Sequence, residues 1–346
     1  MPSSSGTYNF QSVAVELLIR EAYENIGISP DFIEPQKLDS ARRSLNLLLL
    51  DWMNKSVNLW TLKSAYLSIK KGKGQYILPD YLNDITQVNL RTSSRMLNGA
   101  PTSSNAGVAV NAFDDNDSTA CTQDAPDGNI SYDYGEGNAQ SINFIGVTSN
   151  SNTRYSLIIE YSTNNADWQE LQIIEAQNFQ TRITIWFDIL APMVARAYRI
   201  RETGGATLNI SEIYFNNNVL DMPISNVSRY EYLTYPNKNL EGRPSIYYLD
   251  RGMDSVLNIW PTPSVQYNCL QYSYEKVMQD VGLYTKTIEI PSVLYPTAVL
   301  GLSFKLALKF NPEMADMLRA EYEQSFNIVD TSYSEDVAIS INKPQG

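Results

Sequence analysis

The stretch "YSLIIEYSTNNADWQEL", residues 155–171, reads as a short strand that runs into a turn bearing Asn and Asp. It has company. Around it lie "SINFIGVTS" (141–149), "RITIWFDI" (182–189), "ARAYRIRET" (195–203) and "LNISEIYF" (208–215), closely spaced and separated by Asn, Gly and Asp. Short strands at such intervals are what an antiparallel sandwich demands, so one inserted all-β domain is expected over residues 96–217. Its borders are shifts of composition: the Ser-, Asn-, Gly- and Ala-rich run from about 92 to 110 and the triplet "NNN" at 216–218 both read as linkers.

Outside these borders the texture changes. In "SVAVELLIREAYENIG" (12–27) Ala14, Leu18, Ala22 and Ile26 recur every four residues behind a candidate cap at Ser12, and Gly27 stops the helix. Pro35 opens a second helix whose Leu38, Ala41, Leu45, Leu48 and Trp52 form one apolar stripe. Ala65, Leu67 and Ile69 then alternate, "KKGKG" (70–74) turns, "QYILP" (75–79) returns as a hairpin, and "DITQVNLR" (84–91) adds a strand. Beyond the insert, "SIYYLD" (245–250), "VLNIWP" (256–261) and "QYNCLQYSYE" (266–275) are strands. "PTAVLGLSFKLALKF" (296–310) is apolar nearly all round and is expected to be buried on every side. In "NPEMADMLRAEYEQSF" (311–326) Asn311 caps, Pro312 takes the first turn, and Met314, Leu318, Tyr322 and Phe326 stack.

Each pair of helices leaves a stripe that only the other pair can cover. The expected fold is therefore an α+β domain, a four-helix bundle with an antiparallel β-sheet, built from residues 1–95 and 218–328 and interrupted by the all-β jelly-roll sandwich. Residues 329–346 read as a C-terminal arm.

The 346 residues suffice for two cores. A net charge of -12 argues against a grip on nucleic acid, which needs clustered Lys and Arg. The absence of histidine removes Ser-His-Asp triads, HExxH zinc sites and most transition-metal chemistry. No Walker loop and no GxGxxG follows a strand. Carboxylate pairs remain, but 38 acidic residues guarantee chance pairs, so no enzyme is expected and no catalytic residue is singled out. Cys121 and Cys269 fit no ligand spacing and read as small buried residues in a reducing compartment. "MPSSSGTYNF" has neither a basic n-region nor an apolar core, and no stretch approaches the ~18 apolar residues of a membrane span. The reading is a soluble chain that this signal does not export.

The outer segments resemble the head-to-tail adaptor proteins of short-tailed bacteriophages, also called tail accessory or packaged-DNA stabilisation factors. The likeness rests on "LDSARRSLNLLLLDWMNKSVNLWTLKSAYLSIKKGKGQYILPDYLNDITQVNLR" and on "ISNVSRYEYLTYPNKNLEGRPSIYYLDR" followed by "LNIWPTP". Within the second piece Arg229, Tyr232, Pro236, Asn237, Lys238, Gly242, Pro244 and Tyr247 look like the family's turn-and-strand segment, and Trp260 and Pro261 close it. The resemblance implies a dodecameric ring at the virion neck, assembled in the host cytoplasm, bound to the portal protein above and to the tail nozzle or tube below, and helping to retain packaged DNA. Its arm would reach neighbouring subunits or the portal. DNA would pass through the channel unread, and an acidic wall would let it slide. Lys238 and Arg243 are candidates for intersubunit ion pairs, with a solvated surface as the plainer reading.

The insert resembles the discoidin, or factor 5/8 type C, family of galactose-binding-like jelly rolls. "NAFDDNDSTACTQ" (111–123), "ISYDYGEG" (130–137) and "YSLIIEYSTNNADWQEL" carry the likeness. Cys121 stands where that family has Trp, and Asp114-Asp115 where it has Asp-Gly. The resemblance implies a structural calcium ion held by Asp114, Asp117, Thr119 and Glu212; the plainer alternative is a surface loop of Asx turns. It also opens a role in binding a host glycan, a tail fibre or the capsid rim. A sugar needs exposed aromatic rings, for which Tyr132, Tyr134, Trp168 and Trp186 are available, although the two Trp are equally suited to a core. The competing reading for the whole chain is a carbohydrate-binding protein with a helical scaffold.

Overall fold

A computed structural model describes residues 14–29, 33–54, 61–252, 254–264 and 269–333. Ser12 and most of the expected arm lie outside them. The helices are α1 (Val15–Glu24), α2 (Pro35–Asn54), α3 (Arg229–Thr234), α4 (Tyr295–Phe310) and α5 (Ala315–Tyr333). The strands begin with β1 (Leu62–Leu67), β2 (Gln75–Ile77), β3 (Leu82–Arg95), β4 (Ala100–Ser103), β5 (Cys121–Pro126), β6 (Asn129–Asp133), β7 (Gln140–Ser141), β8 (Phe144–Ser149), β9 (Thr153–Ser162) and β10 (Gln169–Phe179). They continue with β11 (Thr184–Asp188), β12 (Val194–Ala195), β13 (Ala197–Glu202), β14 (Thr207–Asn226), β15 (Glu241–Gly242), β16 (Ile246–Arg251), β17 (Ser255–Trp260), β18 (Thr262–Pro263) and β19 (Cys269–Lys276).

The chain forms two compact units. Of the described residues, one comprises those within 1–63, 81–84 and 275–346, and the other those within 64–80 and 85–274. In the first, α1, α2, α4 and α5 contribute to one core in which Leu18, Ala22, Ala41, Leu45, Leu48, Trp52, Leu302 and Leu318 are buried. The Trp52 indole donates to the Tyr322 hydroxyl at 2.9 Å, which satisfies its one polar atom inside the core. Two local expectations change here. Asn311 makes no side-chain cap for the turn that follows it; its Nδ2 donates to the Ile26 carbonyl (3.0 Å), and Pro312–Met314 is a single 3-10 turn ahead of α5. Nor is α4 buried on every side, for Leu308 is 57% exposed. Ser292–Phe310 is long and apolar enough to cross a membrane by length and composition, and half of that stretch is buried in this unit, as in the core helix of a globular protein.

The second unit is an antiparallel β-sandwich continued by a larger sheet. One layer runs β10-β9-β13-β6-β4. The facing layer sets β11 beside β8, and β8 and β5 beside β14. Between them Ile130, Tyr132, Ile145, Val147, Tyr155, Leu157, Ile159, Tyr198, Ile200 and Phe215 are buried, each from alternating positions of its strand. β8 is buried along its whole length, because its other face carries Phe144 into a second cluster with Trp186, Tyr214 and Cys269. Gly146 belongs there: a Cβ would lie 2.5 Å from the Trp186 ring.

Both stretches read as linkers contain strand: of the first, 92–95 belong to β3 and 100–103 to β4, and the second lies within β14. β3 runs to Arg95, which pairs with Asn216 of β14. The expected boundary at 217/218 falls inside β14, where "NNN" makes a bulge between Asn217 and Leu220 with Asn218 at φ 50°. Ladder bonds use the backbone, so Ser and Asn pair as well as Val, and here the Asn216 amide donates to Ser93 Oγ across the pair (2.8 Å). The flanking strands β16, β17, β2, β3 and β19 thus join the sandwich in a single sheet. Helices α1, α2, α4 and α5 belong to the other unit, while α3 lies in this one.

Candidate functional site

The acidic loop before β5 is built from its own hydrogen bonds. Asp114 Oδ1 accepts from the Asn116 amide (3.0 Å) and its Oδ2 from the Thr119 hydroxyl (2.8 Å), while Asn116 Oδ1 accepts from the Ser118 amide (3.1 Å). These are Asx turns, whose short side chains stand in for backbone acceptors. Asp115, at the position where glycine was expected, takes φ 61°, which Asp tolerates at some cost.

Glu212 closes the loop from β14 and is only 1% exposed in its side chain. Its Oε1 accepts from the Asn116 amide (2.7 Å) and its Oε2 from Arg95 (2.5 Å). Arg95 also donates to the Ile213 carbonyl (2.7 Å), pairs with Asp115 (3.3 Å), and lies 4.2 Å from the centre of the Tyr214 ring. Burial pushes the Glu212 carboxyl up to about 7, and the Arg95 charge beside it offsets only part of this. For Asp114 burial also acts upward, but the hydrogen bonds from Thr119 and its neighbours prevail and hold the carboxyl below its usual range.

Calcium takes six to eight oxygens at about 2.3–2.6 Å. The expected ligands do not offer them. The oxygens of Asp114 and Glu212 already face N–H and O–H donors, and Asp117 turns to Lys70 at 3.7 Å. Among the described residues no group of three or more Asp, Glu or Cys side chains is gathered to hold a metal ion. This donor set fits a guanidinium.

A second guanidinium sits four residues earlier on the same strand. Arg91 makes a two-pronged pair with Asp221 (2.7 and 2.6 Å), donates to Asp188 (2.6 Å) and to the Tyr66 hydroxyl (2.7 Å), and covers the rings of Tyr66 and Phe144. Tyr66 also bonds Asp188. Strands β1, β3 and β14 and the end of β11 meet at this one side chain.

A cavity of about 1010 Å³ opens beside it along β1, β2 and β11. Tyr66, Tyr76, Ile183, Ile185, Trp186 and Val256 give it an apolar lining. Each of those three strands ends a sheet path.

Of the rings considered for a sugar, Tyr132 and Tyr134 are in the sandwich core, and Trp186 is stacked on Phe144 (4.9 Å, 7°) with its indole N–H on Ser68. Tyr132 and Tyr134 are therefore not available to a sugar, and Trp186 takes the core alternative. Trp168 is half-buried, with Arg199 4.3 Å from its ring centre. Nearby, Asp133 takes a two-pronged pair from Arg196 (2.9 and 2.8 Å) and a bond from Asn165 (2.9 Å). Lys238 is occupied within its own chain: its ammonium donates to the Tyr232 and Tyr235 carbonyls at the C-terminus of α3, where a cation complements the last carbonyls. Arg243 is exposed and reaches Met222. Cys121 and Cys269 are buried free thiols.

Arg91 and Arg95 escaped the sequence reading because they lie where a strand turns into what looked like a linker. One signal was available: Glu212 stands in the apolar run "ISEIYF", and a carboxylate carried into a core needs a donor.

No family model matches the chain, and no curated protein matches it. Among solved structures, the chain is similar in part to the family 32 carbohydrate-binding module of Clostridium perfringens NanJ in complex with galactose, at 16% identity over 37% of this chain and 99% of that one, with a TM-score of 0.32. An F5/8 type C domain from Bacteroides fragilis stands at 13% identity over 37% and 97%, TM-score 0.32. The family 32 module of AlyQ, in complex with 4,5-unsaturated mannuronic acid, stands at 20% over 40% and 98%, TM-score 0.30.

Proposed function

We propose that this protein is a structural virion component, a ring-forming head-to-tail adaptor that joins the portal to the tail and helps retain packaged DNA. Its helices act as the four-helix bundle of the adaptor domain, and its role is non-enzymatic. The observation that carries the reading is the set of large apolar side chains left in solvent on helices whose own core is complete. Leu17, Leu47, Leu50, Leu308, Met317 and Ile328 are all exposed in the single chain, and in this proposal they are the surface that subunit contacts would cover. The adaptor-like segment around "YPNKNLEGRPSIYYLDR" supports the same reading, with the exposed Arg243 as its cation toward a neighbouring subunit.

The sandwich faces outward in this proposal and meets a tail fibre or the capsid. The apolar lining of the cavity beside β11 suits a protein partner better than a hydroxyl-rich sugar. Particle imaging and mass measurement of the purified chain, alone and with portal, test the proposal. A twelve-membered ring, or assembly upon the portal, is expected; a stable monomer indifferent to portal sinks it.

A second reading, a carbohydrate-binding protein on a helical scaffold, is favoured by Trp168, whose ring stays partly exposed beside the Asn164–Asp167 turn with a guanidinium over it. Its ligand class comes from the modules solved with galactose and with unsaturated mannuronic acid. Glycan-array signal that is lost in Trp168→Ala supports it, and a blank array removes it.

A further inference from the structure

We propose that Arg95 is the resident cation of the acidic loop: a side chain from the flanking strand takes the place of a divalent ion, and the sandwich is complete without calcium. Arg95 is the last residue of β3 and lies outside the 96–217 segment whose loop it serves. Its register opposite Asn216 aims it along the β14 residues that follow the loop's closing carboxylate. From there the guanidinium meets the oxygens that an ion would need, Glu212 Oε2 at 2.5 Å, the Ile213 carbonyl at 2.7 Å and Asp115 Oδ1 at 3.3 Å. The Tyr214 ring covers its face, and its side chain is only 13% exposed.

The remaining loop oxygens are committed as well. Glu212 Oε1 and Asp114 Oδ1 share the Asn116 amide, and Asp114 Oδ2 takes the Thr119 hydroxyl. A planar fork with a fixed single charge places its two terminal nitrogens on three oxygens and leaves Nε without a partner, whereas calcium needs at least twice that number of oxygens around a point. The two arrangements exclude each other, because Glu212 Oε2 and the Ile213 carbonyl cannot serve both.

The test uses the full-length protein and calcium chloride alone. Wild type is expected to retain no radioactive calcium in equilibrium dialysis and to melt at the same temperature in calcium and in EDTA. Arg95→Ala leaves a buried carboxylate without its donor and is expected to melt roughly 5–10 °C lower in EDTA. In calcium it should bind an ion and recover part of that loss, since two ligand oxygens are freed. Arg95→Lys keeps the charge but reaches fewer acceptors; it should melt between the two and stay blind to calcium, which also serves if the alanine variant does not fold. Three results overturn the proposal: calcium bound and stabilising in wild type or in Arg95→Lys, an alanine variant as stable as wild type in EDTA, or one that is destabilised yet binds no calcium. The last outcome denotes an ordinary ion pair that replaces nothing.

Discussion

Arg91 and Arg95 stand four residues apart on β3, each paired with carboxylates and each lying over aromatic rings, yet they face different dielectrics. The partners of Arg91 keep contact with water, Asp188 at 46% and Asp221 at 33% side-chain exposure. Glu212, the main partner of Arg95, has almost none. A charge pair at the rim loses little when broken because water takes over, whereas a pair in the interior leaves a stranded charge. Counting ion pairs would rank Arg91 first, and so would the burial of the arginine itself, 8% against 13% exposed; the burial of the carboxylate partner ranks Arg95 first.

Removing the interior carboxylate should break this contrast most visibly. Glu212→Ala strands Arg95 and frees the Asn116 amide, and the expected loss is about 3–5 kcal/mol by chemical denaturation of the full chain. A loss no larger than that of Arg91→Ala would erase the distinction. A pH series reads the same carboxylate without mutation. Because burial raises Glu212 from the ordinary 4.5 to about 7, the folded state keeps a proton that the unfolded state has released between those values. Its stability contribution is full below about pH 4.5, declines as pH rises to about 7, and is flat above. Glu212→Gln should remove that slope; a slope that persists assigns it to other groups. Arg91→Ala comes next, at about 1.5–3 kcal/mol, since Asp188 and Asp221 can turn to water. Asp115→Asn, which keeps a residue suited to the positive φ, should cost least, under about 1 kcal/mol, because Asp115 is 65% exposed and its contact with Arg95 is long.

The two compact units differ in how openly they are written. The helical one announces itself through side chains: Leu18, Ala22 and Ile26, then Ala41, Leu45, Leu48 and Trp52, recur at the helical period and are buried. The strands of the sandwich were equally legible as strands, since "SINFIGVTS" contains β8 and "ARAYRIRET" contains β13. What could not be read was where one sheet ended. Strand pairing spends backbone groups, which every residue but proline carries in full, so "RTSSR" and "NNN" took part in a ladder while looking like spacers. The loop was legible as an acidic feature but not as a site, because its decisive member came from across the chain. Arg95 contributes a partner to Glu212, 117 residues away, and spacing rules see only neighbours.

Strand β14 has a mechanical consequence. Its first half pairs with β8 and β5 inside the sandwich and its second half with β3, without a break in the chain between them. A tug on the sandwich along this strand would load its antiparallel bonds together, in shear, and Arg91 and Arg95 rivet the β3 seam at two points. The insert is mounted like a bracket on a beam and not hung from a string, so a force received there would be passed to the flanking sheet before any hydrogen bond had to open alone.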